Sequence, residues 1–267
     1  MATIVTGLFD INRNTMDGRE WKNYLNWFEK TLSLNCPMVI FVEENNINFV
    51  KKARKNFSTK IISQSICDLP YYQYKEKMDK IILSEDYKNK IKDNKRIECN
   101  FSLYSIIQYS KFEWMKVASE LNPFESDYFI WMDAGLSRFF DDLDTNKEYP
   151  SKHFKQKIKN LNDKVLIQIF MSYYPDLFGA KILTDEYLLD NRSYVMGGMF
   201  ASNKNGICNI NLKIKELFEE MLQNNIVNNE QIALGFLFKK YPDMFVSYIN
   251  NARIHRNYEL INCLSGE

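Results

Sequence analysis

Five polar residues stand where apolar runs give out. Thr6, Asp10 and Arg13 close or follow a first run, Thr3 to Phe9. Glu43 follows a second, Pro37 to Val42. Asp133 ends a third, Tyr128 to Met132, and is followed at once by Ala134 and Gly135. If these runs are strands of one parallel sheet, their carboxyl ends share one edge, and ligands bind beyond that edge. Carboxylates placed there accept hydrogen bonds from a ribose or a base, and a cation such as Arg13 or Lys111 answers a diphosphate. Small residues after Asp133 let a ligand approach the backbone. Each residue taken singly is more often a cap or a solvated loop residue, and Asp133 could be the N-cap of the next turn. Their convergence on one edge is what gives them weight.

Three more groups have types suited to chemistry. The pair Gly197-Gly198 lies inside an apolar run, where glycines mark either tight packing or the close approach of another group. Glu230, in Asn228-Asn229-Glu230-Gln231, is either part of a helix cap or a catalytic or substrate-binding carboxylate. His255, between Arg253 and Arg256, is one of only two histidines. Together with Asp133 it would give a magnesium or manganese ion two protein ligands, with a diphosphate completing the shell.

The elements that must position these residues are legible in outline. The three runs, with Lys60 to Ile66 and Val165 to Phe170, read as strands covered on both faces. Helical spacing predicts helices over Arg19 to Leu34, Ile47 to Lys55, Ser102 to Leu121, Ser151 to Leu161, Asn209 to Gln223 and Asn229 to Lys239. Ser193 to Ser202 reads as a further strand, and Phe245 to Tyr248 as a last one. Strand and helix alternate, which implies an α/β fold with a mostly parallel, Rossmann-like central sheet flanked by helices. No linker or repeat interrupts it, so residues 1–267 are expected to form a single domain. Residues 68–96, rich in Lys and Tyr with little periodicity, read as a solvated excursion with one helix, or as an insertion or lid.

Composition narrows the function classes. A net charge of +1 gives no electrostatic case for nucleic acid as a partner. Five scattered cysteines without a C-x-x-C pair argue for a reducing compartment and against a disulfide framework. The two histidines, His153 and His255, stand too far apart for H-E-x-x-H, and neither G-x-x-x-x-G-K-[ST] nor G-x-G-x-x-G occurs. Met1 to Phe9 lack the basic flank of a signal peptide, and no stretch has transmembrane length. A cytoplasmic protein is expected, with peripheral membrane contact left open.

Several stretches resemble the HtrL/YibB/WlaTC family of bacterial glycan-locus proteins. They are Thr3-Ile4-Val5-Thr6-Gly7-Leu8-Phe9-Asp10-Ile11-Asn12-Arg13, Met38-Val39-Ile40-Phe41, Tyr109-Ser110-Lys111, Tyr128 to Gly135, and Gly197-Gly198-Met199-Phe200. The resemblance covers most of the chain, and its order and spacing are more specific than any one motif. It implies a glycosyltransferase of the GT-A type, moving a sugar from a nucleotide-sugar donor to a glycan or other hydroxyl acceptor, often with a divalent metal. On this resemblance Asp133 matches the first carboxylate of Asp-x-Asp, while Gly135 stands in place of the second. His255 is similar to a C-terminal metal ligand, and Gly197, Gly198 and Glu230 approximate acceptor-side elements. Asp133 and Glu230 are then the expected catalytic residues, and Asp133 and His255 the expected ligands of manganese or magnesium. Thr6, Asp10, Arg13, Glu43, Lys111, Gly197 and Gly198 are the expected substrate-binding set. Two rival readings remain: a degenerate, non-catalytic nucleotide- or sugar-binding protein, and a nucleotidyltransferase.

Overall fold

Neighbouring residues in the strands are buried in different cores, which explains why their apolar runs show no alternation. In β1 (Ala2–Leu8), Ile4 and Val5 are both fully buried, on opposite faces. In β4 (Tyr128–Met132), Phe129 and Trp131 enter one core while Ile130 and Met132 enter the other. A strand covered on both faces has no solvent side on which to place polar residues.

The structure is a computed structural model describing residues 1–139, 144, 146–171, 174–250, 260, 263 and 264. After β1 come α1 (Asn14–Asp17), α2 (Trp21–Leu32), β2 (Met38–Val42), α3 (Ile47–Ala53) and β3 (Thr59–Ser63). Then follow α4 (Lys75–Leu83), α5 (Glu85–Lys90), α6 (Ser102–Leu121) and β4. The remainder is α7 (Lys152–Lys159), β5 (Val165–Phe170), α8 (Pro175–Gly179), β6 (Val195–Asn203), α9 (Lys204–Gln223), α10 (Glu230–Lys240) and β7 (Phe245–Asn250). The strands form a seven-stranded sheet in the order β3-β2-β1-β4-β6-β5-β7. All neighbours pair in parallel except β6, which runs antiparallel to both β4 and β5. The expected α/β fold with a mostly parallel central sheet and flanking helices is therefore what the chain adopts.

Helices α4, α6, α9 and α10 cover one face through side chains such as Met78, Ile106, Ile214 and Leu234. Helices α2, α3 and α7 cover the other through Phe28, Val50 and Phe154. Helix α6 spans the residues its periodicity predicts, and Asn122 at φ 37° ends it. Several boundaries differ from the sequence reading, and two of them have a clear local reason. Helix α9 starts earlier because the Asn203 side chain accepts the Gly206 N–H and caps it. Strand β3 stops at Ser63, before a turn in which the Ser65 hydroxyl donates to Asp68 Oδ2 at 2.6 Å. Residues 68–96 hold two helices rather than one, and bury Leu69, Tyr71, Met78, Ile81, Ile82, Tyr87 and Ile91. Among the described residues no helix is long and apolar enough to cross a membrane.

Candidate functional site

A cavity of about 230 Å³ opens beyond the carboxyl ends of β1 and β4. Its walls come from the loop after β1, the inner turns of α6 and the turn after β4. That is the edge at which an open α/β sheet binds ligands. Asp133 stands at its mouth with its side chain 37% exposed. The antiparallel course of β6 places its early residues beside the end of β4, with Met132 opposite Met199. The Asp133 N–H donates to the Gly198 carbonyl at 2.8 Å, which fixes the residue as the strand leaves the sheet. The next turn is tied to α2: Thr31 Oγ1 donates to the Ala134 carbonyl at 2.6 Å, and Ser137 Oγ to the Trp27 carbonyl at 2.9 Å.

Beneath Asp133 lies a buried charge group. Lys111 and Glu230 are each 1% exposed, and Lys111 Nζ donates to Glu230 Oε1 at 2.6 Å and to the Gly197 carbonyl at 3.0 Å. The same ammonium is 3.6 Å from Asp133 Oδ1, which also accepts the Trp131 Nε1–H at 2.7 Å. Glu230 Oε2 is buried with no hydrogen-bond partner among the described residues. Burial pushes the Glu230 carboxyl above its usual range, the Lys111 ammonium opposes that shift, and the Asp133 charge adds to it. One ammonium is thus shared between an inner carboxylate and an outer one. Asp133 is presented to the cleft with one oxygen already accepting the Trp131 N–H and facing the Lys111 ammonium.

The sequence-derived candidates separate clearly in space. Asp10, Arg13, Lys111 and Asp133 all line the cleft. Gly198 supports Asp133 from behind: a Cβ there would lie 3.3 Å from Asp133 Oδ2. Gly197 makes room for Glu230, since a Cβ would fall on Glu230 Oε1 and 2.6 Å from Gln231 Cγ. Glu230 itself does not line the cleft and communicates with it through Lys111. The helix cap is Asn229, whose Oδ1 accepts from Gln231 N and Ile232 N. Glu43 accepts the Asp10 N–H at 2.8 Å and so holds the loop after β1 instead of lining the cavity. Thr6 is fully buried, and it too stays outside the lining. His255, with Arg253 and Arg256, lies outside the described residues.

Two basic residues of the cleft escaped the sequence reading, as did the aromatic walls Trp21, Tyr24 and Tyr104. Arg19 and Arg138 line the cavity along with Arg13. Arg138 Cζ sits 4.6 Å from the Trp27 ring centroid and 4.5 Å from that of Phe139, and Arg13 Cζ sits 4.7 Å from that of Tyr104. A signal for Arg138 was present, since it follows Asp133 at the end of β4 by only a few small or apolar residues. As for a metal, no three His, Cys, Asp or Glu side chains among the described residues gather into a group that could hold one. Asp133 already faces an ammonium, which would repel a dication. The expected ligand pair of Asp133 and His255 cannot be assembled from the described residues, because His255 lies outside them.

Fold and site define an α/β protein with a cavity at its strand ends, lined among the described residues by three arginines, one lysine and aromatic rings. Residues 1–256 match the family described as "Bacterial protein of unknown function (HtrL_YibB)", and the chain belongs to that family. No curated protein matches it. Among solved structures it is similar to mouse Xyloside xylosyltransferase 1 in its apo form, at 10% identity and a TM-score of 0.46, covering 93% of this chain and 85% of that one. It is also similar to the 4-diphosphocytidyl-2C-methyl-D-erythritolsynthase of Anaerococcus prevotii DSM 20548, at 12% identity and a TM-score of 0.38, covering 100% and 95%. Both likenesses are loose.

Proposed function

We propose that the protein is a GT-A-type glycosyltransferase, transferring a sugar from a nucleotide-sugar donor to a glycan or other hydroxyl acceptor in the cytoplasm. The observation that carries this reading is the cleft itself. Three arginines and the Lys111 ammonium line a cavity walled by Trp21, Tyr24 and Tyr104, with one partly exposed carboxylate, Asp133, at its mouth. Guanidinium and ammonium groups suit a diphosphate, aromatic faces suit a base or sugar ring, and a carboxylate suits ribose or sugar hydroxyls. The leaving group of sugar transfer is a nucleoside diphosphate, so negative charge builds on phosphate oxygens that fixed cations can stabilise. Asp133 would accept hydrogen bonds from the donor, with Lys111 and Trp131 holding its orientation. Glu230 would act through Lys111, as a positioning residue.

Release of nucleoside diphosphate from a panel of nucleotide sugars tests the reading. Asp133→Ala should lower that release about a hundred- to a thousandfold, while the melting temperature changes little, because the side chain lies at a cleft mouth and caps no helix. A variant that melts several degrees lower yet turns over normally per folded molecule would overturn the assignment. A nucleotidyltransferase is the second reading, favoured by Arg13 and Arg19 in the loop after β1, with Gly18 at φ 74° between them. It predicts pyrophosphate release from a nucleoside triphosphate and a sugar phosphate.

A further inference from the structure

Helix α6 turns one stripe of side chains toward the cleft. Tyr104, Ile107, Gln108 and Lys111 follow one another at helical spacing, and all four line the cavity. Ser105, Ile106, Tyr109 and Ser110, which lie between them in sequence, are buried behind the stripe. The polar members use their hydrogen-bonding capacity differently. Lys111 is engaged within the protein, donating to Glu230 Oε1 and to the Gly197 carbonyl. The Gln108 amide and the Tyr104 hydroxyl, on half-buried side chains, make no hydrogen bond among the described residues. Asp133 continues the row beyond Lys111. Its Oδ1 accepts the Trp131 N–H at 2.7 Å and lies 3.6 Å from the Lys111 ammonium, while Oδ2 accepts no hydrogen bond among the described residues. Burial pushes the Tyr104 phenol above its ordinary value, the charges of Glu98, Glu230 and Asp133 add to that shift, and Arg13 opposes it. Tyr104 therefore stays a neutral hydroxyl that can donate as well as accept.

A phenol, a primary amide and one carboxylate oxygen thus stand in a row with unused capacity of different kinds. A phosphate only accepts hydrogen bonds and would be repelled by the carboxylate. Hydroxyls on successive ring carbons each donate and accept, and a mixed row matches them. Side chains three or four residues apart on a helix stand about 5–6 Å apart, within reach of neighbouring hydroxyls on one ring. We infer that Gln108 and Tyr104, with Asp133 Oδ2 at the end of the row, read the hydroxyls of the transferred sugar, and that Gln108 sets which sugar is accepted; the inference rests on the nucleotide-sugar reading. The donor is then one whose sugar keeps free hydroxyls along one edge of its ring.

The test is titration calorimetry of the full chain, with manganese present throughout. A panel of nucleotide sugars, among them UDP-glucose and its epimer UDP-galactose, is compared with the parent nucleoside diphosphates. Gln108→Met keeps the length of the side chain and removes donor and acceptor together, and Tyr104→Phe removes only the hydroxyl. Neither change breaks a hydrogen bond among the described residues, so both variants should melt within about 2 °C of the original. Each should bind the best-bound nucleotide sugar about threefold to tenfold more weakly, as expected for one lost hydrogen bond. Each should bind the parent nucleoside diphosphate within about twofold of the original. The ranking of epimeric sugars should flatten in Gln108→Met. Should Gln108→Met fail to fold, Tyr104→Phe decides by the same comparison. Equal losses for a nucleotide sugar and its parent diphosphate, or affinities and a ranking that stay unchanged, overturn the inference and leave the nucleotide-sugar reading standing. An original protein that binds no nucleotide sugar overturns both.

Discussion

Replacing Lys111 with Met keeps most of the side-chain length inside α6 and removes the charge. Glu230 Oε1 loses the donor now 2.6 Å away, at a place where both side chains are 1% exposed. The Gly197 carbonyl loses its donor at 3.0 Å, and Asp133 the ammonium at 3.6 Å. Removing one partner of a buried ion pair costs about 3–5 kcal/mol, because the other charge stays behind. For a chain of this size about 1 kcal/mol corresponds to about 2–4 °C, so the melting temperature should fall on the order of 10 °C at neutral pH. The pH dependence has a definite sign. Burial already raises the Glu230 carboxyl in the folded protein. A carboxyl raised on folding contributes stability that is full below its unfolded value, about 4.3, and is lost as pH rises through the folded value. Without Lys111 the folded value rises further, so the loss should be largest near pH 7 and smaller near about pH 5. Urea unfolding of K111M, E230Q and the double variant at both pH values measures this. The double variant leaves no buried charge, and its coupling energy should be about 1–3 kcal/mol in favour of the pair of changes. A K111M loss below about 1 kcal/mol, or one that is equal at both pH values and unrelieved by E230Q, would refute the reasoning.

Three other outcomes are expected. Arg54 is buried and donates to the carbonyls of Leu32, Leu34, Cys36 and Ser58 and to Thr59 Oγ1. Arg54→Met should therefore lose at least about 3 kcal/mol in urea unfolding, and a loss under about 1 kcal/mol would show that water replaces the guanidinium. Burial alone would raise the Asp190 carboxyl, but hydrogen bonds from Arg192 and Lys92 outweigh it and hold the group at about 2. Its contribution is thus full above the unfolded value and lost as pH falls from about 4 towards about 2, and Asp190→Asn should remove about 2 kcal/mol at pH 6 after allowing for the exposure of Arg192 and Lys92. An acid-unfolding curve identical in slope to that of the original protein would contradict this. Gly197→Ala places a methyl on Glu230 Oε1 and should cost about 1–3 kcal/mol, read as a lower melting temperature with weakened nucleotide binding; normal values for both would show that Glu230 can yield.

The framework of the fold was legible because it depends on local pattern. The Tyr128 to Met132 run, the Val165 to Phe170 run and the α6 stripe fall where the sequence places them. Asp133 could be found because a charged residue that closes an apolar strand is visible in one dimension. The direction of β6 was not legible, since a strand apolar on both faces reads alike in either orientation. Nor was the Lys111–Glu230 pair, whose members are 119 residues apart. The sequence offered Lys111 as a cation for a diphosphate, and nothing in one dimension linked it to Glu230. Glu230 read either as part of a cap or as a catalytic carboxylate, because it follows the true cap, Asn229, and its burial beneath Lys111 is not visible in one dimension. Thr6 and Glu43 were placed correctly near the strand ends, yet one points into packing and the other holds a loop. Sequence locates the sheet edge, while the side of the backbone that meets the ligand is a property of the assembled sheet.

The distribution of indole rings has an optical consequence. The chain has four tryptophans. Trp21 and Trp131 line the cleft, Trp27 lies under the Arg138 guanidinium, and Trp114 stacks on Trp131 with centroids 5.9 Å apart. Trp131 also donates its indole N–H to the Asp133 carboxylate. Nearly all the near-ultraviolet emission of the protein therefore originates at, or one ring away from, the candidate site. A ligand that moves the Asp133 carboxylate changes the polarity felt by an indole nitrogen, and one that draws Arg138 away removes a cation from a ring face. The protein carries a label-free fluorescent gauge of its own cleft, with no distant tryptophan to dilute the signal.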